Sequence, residues 1–386
     1  RRPPRSTHCI SSAASDVYKR QDKYNGKVAL YHGPNKEVEL LYMQWPLPNR
    51  NEALVKISHC AICRSDVHTI CGRRHAQTPS VLGHEIIGKL VAMGDTFTKK
   101  DFNGQRLNLG DRITWTIYSH CGTCFFCQNN LPQKCASLFK YGHEAVSETG
   151  QGSSGGMADY IMIRPGTAVL KLPETISDYS ATPINCAVAT AAAMIRESNC
   201  RIDLNTTTII MGGGYAGLSA VALAKYKGCG RILVFEINID LHQRCLNFGA
   251  DAVFIPGDPK AVDLINQWTQ QRGVDLVLEL AGSTDAAQFG LNHLRTGGCL
   301  VLGGTVFPSP PLRIDPDQIV RRCLSIKGSH NYHPEDLITA TDFLNSTQQI
   351  LPWGELVGAV FTLEDCNAAI QYAKDNPGKR AIFQME

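Results

Sequence analysis

Two rhythms of apolar and polar positions divide the chain. From about residue 27 to 175, short runs such as KVALYH, ALVKISHC, IIGKLVAMG, DRITWTIYS and ADYIMIRPG are punctuated by glycine, proline and asparagine and alternate in steps of two. That period puts successive side chains on opposite faces of a strand, so a β-rich unit is predicted. After about residue 178 the apolar runs TTTIIM, ILVFE, AVFIP, DLVLEL, GCLVLGG and LSIKGSH recur with helical segments between them. Such alternation predicts an α/β unit built on a doubly wound parallel sheet. Residues 333 to 386 return to mixed structure and end in the strand-like AIFQM. No apolar run approaches the roughly 20 residues a membrane-spanning helix requires.

Composition changes this picture little. A length of 386 residues predicts two or three domains, and 43% hydrophobic with 19% charged residues fits a globular protein and excludes a disordered one. The opening segment RRPPRSTHCISSAASDVYKRQ is basic, serine-rich and aperiodic, a pattern shared with transit peptides. It also resembles translated adapter sequence, so residues 1–21 read as a non-native extension, with the protein proper starting near Gly26-Lys27-Val28-Ala29-Leu30. Without them the formal charge of +3 becomes about −1, and the basic balance no longer points to an acidic partner.

The densest chemistry lies in CGTCFFCQNNLPQKC, where Cys121, Cys124, Cys127 and Cys135 stand at spacings of three, three and eight. Four thiolates close the tetrahedral shell of one zinc ion, so this loop predicts a structural zinc site. Disulfides fit less well, because a chain this long buries ample core without staples and an odd count of 15 cysteines with no export signal suits a reducing, cytoplasmic compartment. A nucleic-acid-gripping zinc ribbon lacks its basic footprint, since the charges around the loop (Asp111, Arg112, Lys134, Lys140) are few and mixed.

Between TTTIIM and a helical stretch lies Gly212-Gly213-Gly214-Tyr215-Ala216-Gly217, and Glu236 ends the next strand 24 residues after Gly212. Gly212, Gly214 and Gly217 fit a dinucleotide-binding turn that lets backbone amides approach a pyrophosphate at a helix N-terminus. Glu236 would accept hydrogen bonds from ribose hydroxyls and repel a 2′-phosphate, favouring NAD over NADP. Arg244 reads as a solvated helix position.

A third constellation is Cys63-Arg64-Ser65-Asp66-Val67-His68, then Gly83-His84-Glu85, then Asn185-Cys186. Two thiolates and one imidazole with one position open for substrate would make a catalytic zinc site. Cys186 in NCAVATAAA reads equally as helix packing, and His143 in a second Gly-His-Glu triplet reads as a loop or pocket residue.

The ordered set Cys63/His84/Glu85/Cys186, the four-cysteine loop and the glycine motif with Glu236 together resemble the zinc-containing alcohol dehydrogenases of the medium-chain dehydrogenase/reductase superfamily, over essentially residues 26–386. The resemblance implies a GroES-like catalytic domain of residues 22–188 and 332–386 around a Rossmann domain of residues 189–331. It implies two zinc ions per subunit and NAD, with Cys63, His84 and Cys186 as catalytic zinc ligands and Asp66 orienting His84. Glu85 corresponds to an acid that approaches the metal during ligand exchange. Ser65 and His68 match a proton relay through the cofactor ribose, while Arg64 and Arg380, or Lys379 in its place, match cations at the pyrophosphate. The implied activity is reversible hydride transfer between a small alcohol and its aldehyde or ketone, with no nucleic-acid or membrane partner. A polyol or threonine dehydrogenase and a catalytically silent NAD-binding structural protein are the alternatives. Relatives assemble as dimers or tetramers, so a homo-oligomer is expected, with its seam at the strand near SIKGSH. The segment LPQKCASLFKYGHE and the context PINCAVAT are also similar to a phosphonate-catabolism-associated subgroup. An anionic substrate would then need a cation near the zinc, for which Lys140, Arg73 and Arg74 are candidates. Trp115, Ile117 and Tyr118 read as pocket lining or core.

Overall fold

The computed structural model describes residues 23–146 and 153–385; the extension expected over residues 1–21 lies outside them. The period-two region forms a sheet in the order Val169–Lys171, Arg112–Trp115, Glu85–Met93, Ala53–Ala61, Arg380–Gln384, Val357–Phe361, with Tyr160–Ile163 also paired to Ala53–Ala61. The C-terminal strand thus returns to the first unit, where Ile382 and Phe383 stand opposite Ala61 and Cys60. That register carries Arg380 into the neighbourhood of Cys63. A smaller sheet packs Lys23–Tyr31 between Glu39–Pro46 and Ser80–Val81.

DRITWTIYS, expected as one strand, breaks into Arg112–Trp115 and Tyr118–Ser119. The hydroxyl of Thr116 donates to the Tyr118 carbonyl at 2.8 Å and accepts from the Ala168 amide at 3.2 Å, a local side-chain bridge that competes with the ladder. Trp115, Ile117 and Tyr118 are core, each buried, and the Tyr118 hydroxyl donates to the Tyr332 carbonyl.

The second unit is a parallel sheet ordered Ala252–Phe254, Arg231–Phe235, Thr207–Met211, Val274–Glu279, Leu294–Leu302, Ser325–Gly328. Its strands are near-continuous apolar runs because helices cover both faces; all five residues of Thr207–Met211 are buried. Chain order reverses at Thr207–Met211, which pairs with Arg231–Phe235 on one side and Val274–Glu279 on the other. Ligands of open α/β sheets bind at the carboxyl ends of the strands at such a reversal. Ser325–Gly328 is an edge strand, as the sequence led us to expect for LSIKGSH. Among the described residues, no helix is long and apolar enough to cross a membrane.

Candidate active site

Cys63 caps the short helix Arg64–Ile70 in extended conformation, and Asp66 Oδ2 accepts from the Cys63 amide at 2.9 Å. The other Asp66 oxygen lies 3.3 Å from His84 Nδ1, with both side chains buried. One carboxylate therefore orients two donors. Burial opposes charge on His84, but Asp66 outweighs it and raises the imidazole to about 10. The third donor, Cys186, lies on the single wide turn Ile184–Val188, a π-helical segment of the kind found where a helix is re-aimed at a functional site. Its neighbour Asn185 fixes this turn to the other ligand: Nδ2 donates to the carbonyls of His84 and Trp115, both at 3.0 Å. Sequence reasoning missed Asn185, whose only signal was adjacency to Cys186.

The donor atoms of Cys63, His84 and Cys186 lie within 4.8 Å of one another. The two sulfurs are 3.9 Å apart; thiolates at about 2.3 Å from one tetrahedral ion would lie about 3.8 Å apart. The contact with Cys186, aided by Arg380, pulls the Cys63 thiol well down, and the same contact with burial pushes Cys186 well up. One thiolate thus forms readily and the second calls for a cation, so the donor set fits zinc. Ser65 Oγ sits 3.4 Å from His84 Nε2, the ring nitrogen not facing Asp66.

Glu85 and Arg380 form a buried bidentate pair, with both N–O distances 2.9 Å. Arg380 also stacks over Tyr215, 5.0 Å from the ring centre, and its Nη2 lies 3.7 Å from Cys63 Sγ. The guanidinium expected at the pyrophosphate is thus engaged with Glu85 here, while Lys379 is exposed. Arg244, read as a solvated position, instead donates to the Gly378 carbonyl.

Gly212 follows strand Thr207–Met211 with φ +97°, a conformation open chiefly to glycine. A Cβ on Gly217 would meet the Gly212 carbonyl oxygen at 1.8 Å, so helix Tyr215–Tyr226 packs directly on the turn. A Cβ on Gly214 would meet nothing within 4 Å, which leaves room for a ligand at the helix N-terminus. Glu236 accepts from the amides of Gly213 at 2.6 Å and Asn238 at 2.8 Å, bracing the turn. The resulting cleft of about 850 Å³ is lined by Arg64, Gly214, Glu236 and Arg380 and reaches Cys63 and Cys186.

The four-cysteine loop gathers apart from this cleft. Cys124 Sγ lies 3.6 Å from that of Cys127 and 3.9 Å from that of Cys135. The amides of Cys121 and Ser137 point at Cys135 Sγ, and those of Cys124 and Ala136 at Cys121 and Cys124 sulfurs, between 3.2 and 3.4 Å. The Thr123 amide leads in lowering Cys121 to about 6, whereas burial and then Cys124 lift Cys127 to about 12. Amide donors stabilise thiolates, and four of them so close together need a cation; the loop fits a second zinc. His143, read as a loop or pocket residue, has Nδ1 2.9 Å from the Tyr141 carbonyl oxygen.

Residues 49–174 match the family described as alcohol dehydrogenase GroES-like domain, and residues 216–346 match the zinc-binding dehydrogenase family. The chain belongs to the zinc-type medium-chain alcohol dehydrogenases. It is similar to the sorbitol dehydrogenase of Halalkalibacterium halodurans, with 28% identity over 78% of this chain and 82% of that one. It is 30% identical to the D-arabitol-phosphate dehydrogenase of Enterococcus avium over 75% of this chain and 78% of that one. Among solved structures, an alcohol dehydrogenase from Thermotoga maritima superposes with a TM-score of 0.87, covering 94% of this chain and all of the other at 24% identity, a likeness of fold. As a member of this family the chain is an oxidoreductase acting on CH–OH groups, with a nicotinamide cofactor, a GroES-like unit and a Rossmann-like unit.

Proposed function

We propose that the chain oxidises a small alcohol with NAD, holding a catalytic zinc on Cys63, His84 and Cys186 and a structural zinc on Cys121, Cys124, Cys127 and Cys135. The open donor set carries this reading: three ligand atoms within 4.8 Å of one another at the end of the dinucleotide cleft. Three protein donors leave one tetrahedral position for substrate, whereas four leave none. When bound, the metal polarises the substrate oxygen and the nicotinamide supplies the hydride acceptor.

Ser65 receives the hydroxyl proton and passes it toward His68. Burial, then the charges of Arg64 and Arg73, lower the His68 pKa, so its imidazole is neutral near pH 7 and able to accept. Among the described residues no hydrogen bond joins Ser65 to His68, in keeping with a relay completed by the cofactor ribose. Asp66 keeps one proton of His84 on Nδ1, so the proton a metal would displace is the one on Nε2, the ring nitrogen that would ligate it. Glu85 is held by Arg380 and would be free to approach a metal only if that pair opened; Arg64, with Arg380 so freed, would steady the pyrophosphate. Gly212, Gly214 and Gly217 cradle that pyrophosphate, and Glu236 selects NAD over NADP.

The same reading divides the chain into residues 22–188 plus 332–386 and residues 189–331. It puts the seam of a cytoplasmic homo-oligomer at the edge strand Ser325–Gly328. Relatives named for sorbitol and D-arabitol phosphate favour a polyol-like alcohol as a second, narrower reading. The test is metal analysis with turnover on primary, secondary, polyol and amino alcohols, each with NAD and NADP. Two zincs per chain with NAD reduction on at least one alcohol is expected. Two zincs and tight NAD binding without turnover on any alcohol would leave the silent structural protein.

A further inference from the structure

Cys186 sits on a turn that its own backbone bonds hold loosely. In Ile184–Val188 the amides of Cys186, Ala187 and Val188 converge on the single Pro183 carbonyl, at 3.2, 3.1 and 3.5 Å. Three donors sharing one acceptor define a turn less sharply than one bond apiece, so the direction of the Cys186 side chain depends on groups outside it. Asn185 supplies one tether through its side chain, tied to the carbonyls of His84 and Trp115. The other tether is on its backbone. The Tyr332 hydroxyl donates to the Asn185 carbonyl at 2.5 Å and accepts from the Ile117 amide at 3.1 Å. The carbonyl one residue before the ligand is thus fixed against the segment that carries Trp115 and Ile117.

Tyr332 itself has little freedom. Its carbonyl accepts from the Tyr118 hydroxyl at 2.8 Å, and Asn331 before it takes φ +59°, a left-handed conformation that asparagine tolerates. The helix that follows, Pro334–Thr347, is fixed to Ala189–Ser198, the helix that continues from the Cys186 turn: Asp336 accepts from Arg196 through both oxygens, at 2.8 and 2.9 Å. Tyr332 and Asp336 therefore hold the Cys186 segment near both its ends. Tyr332 and Asn185 are wholly buried. A phenylalanine would fill the same space with no polar group to satisfy, so what the hydroxyl contributes lies in its two hydrogen bonds.

We infer that Tyr332 is a positioning residue of the three-donor site: through the Asn185 carbonyl it sets where the Cys186 sulfur stands relative to Cys63 and His84. It touches neither metal nor substrate. Its hydroxyl acts across 147 residues of sequence, from the point where the chain returns to the first unit.

This inference rests on the zinc site proposed above, and its test needs no turnover. Tyr332→Phe keeps the ring and removes only the hydroxyl, leaving the Asn185 carbonyl and the Ile117 amide unpaired. Tyr141→Phe is the matched control, since its hydroxyl is equally buried but bonded to the Arg164 amide at 2.9 Å and Thr167 Oγ1 at 2.8 Å rather than to the Cys186 turn. Zinc affinity is read by competition with a chelator, and ligand geometry by the visible spectrum of the cobalt(II)-loaded protein, in which the four-cysteine ion contributes equally in every variant. In Tyr332→Phe one of two zinc ions should bind about tenfold more weakly, the low end of what the outer partners of a metal ligand contribute, and the cobalt bands should shift. Tyr141→Phe should lower the thermal midpoint and change neither readout. A Tyr332→Phe that loses stability yet keeps both zinc affinities and the wild-type spectrum would overturn the inference and leave the zinc site standing. So would an equal shift in Tyr141→Phe, or a Tyr332→Phe that fails to fold while Tyr141→Phe folds. A wild type that binds one zinc rather than two would instead overturn the zinc site, and the inference with it.

Discussion

Replacing Asp66 by asparagine isolates how one buried carboxylate prepares the three-donor site. Asp66 is 2% exposed, accepts from the Cys63 amide at 2.9 Å and faces His84 Nδ1 at 3.3 Å. Both partners are donors. A carboxylate satisfies both, but the asparagine amide has one acceptor and one donor end. If its oxygen keeps the Cys63 amide, its NH₂ meets Nδ1 and drives the His84 proton to Nε2, where it blocks ligation. If the amide flips, the Cys63 cap is lost instead. The expected cost is ten- to a hundredfold in affinity for one zinc, about 1.4–2.7 kcal/mol. Stability of the metal-free fold should drop by only about 1 kcal/mol, the value of a cap. Asp66→Ala should lose the cap and leave His84 Nδ1 unpaired, costing about 2–4 kcal/mol in the metal-free protein. Titration of zinc-loaded protein against a chromophoric chelator should show two equal classes of ion, with only one weakened in Asp66→Asn. Urea unfolding of the metal-free forms supplies the stability arm. Wild-type affinity for both ions in Asp66→Asn would refute the tautomer argument.

Other changes probe separate parts of the molecule. Cys63→Ala should abolish turnover with near-wild-type thermal unfolding, whereas Cys121→Ala, which breaks a closed thiolate set, should lower the midpoint and make it insensitive to added zinc. Gly214→Ala should fold within about 0.5 kcal/mol of wild type yet bind NADH more weakly by fluorescence titration, because its Cβ enters only the ligand space. Gly217→Ala meets backbone at 1.8 Å and should cost stability first, by about 1–3 kcal/mol in urea unfolding. By linkage, Lys140 is a cation with a depressed pKa, so it adds stability as pH rises from about 8 toward its ordinary value of 10.5. A stability that does not rise over this window would contradict the burial of the Lys140 ammonium.

What the chain wrote locally was legible. Spacings of three, three and eight confine four cysteines to one loop, and a glycine turn between an apolar strand and a helix leaves few backbone paths, so both features followed from neighbours in sequence. Asp66 and Cys63 share the first turn of one helix for the same reason. Contacts over long sequence separation were different in kind. Cys186 joins Cys63 across 123 residues through a π-turn that no apolar period announces. Arg380 meets Glu85 across 295 residues because the last strand adds beside Ala53–Ala61 in one register, and this turned an expected pyrophosphate cation into the partner of a buried carboxylate. Lys134 meets His330 across 196 residues, and the two line one cleft. The sequence by itself determined the two units, the donor types and the cofactor turn, since these rest on covalent spacing and periodicity. Which distant side chains pair was decided by strand register and packing in the tertiary structure.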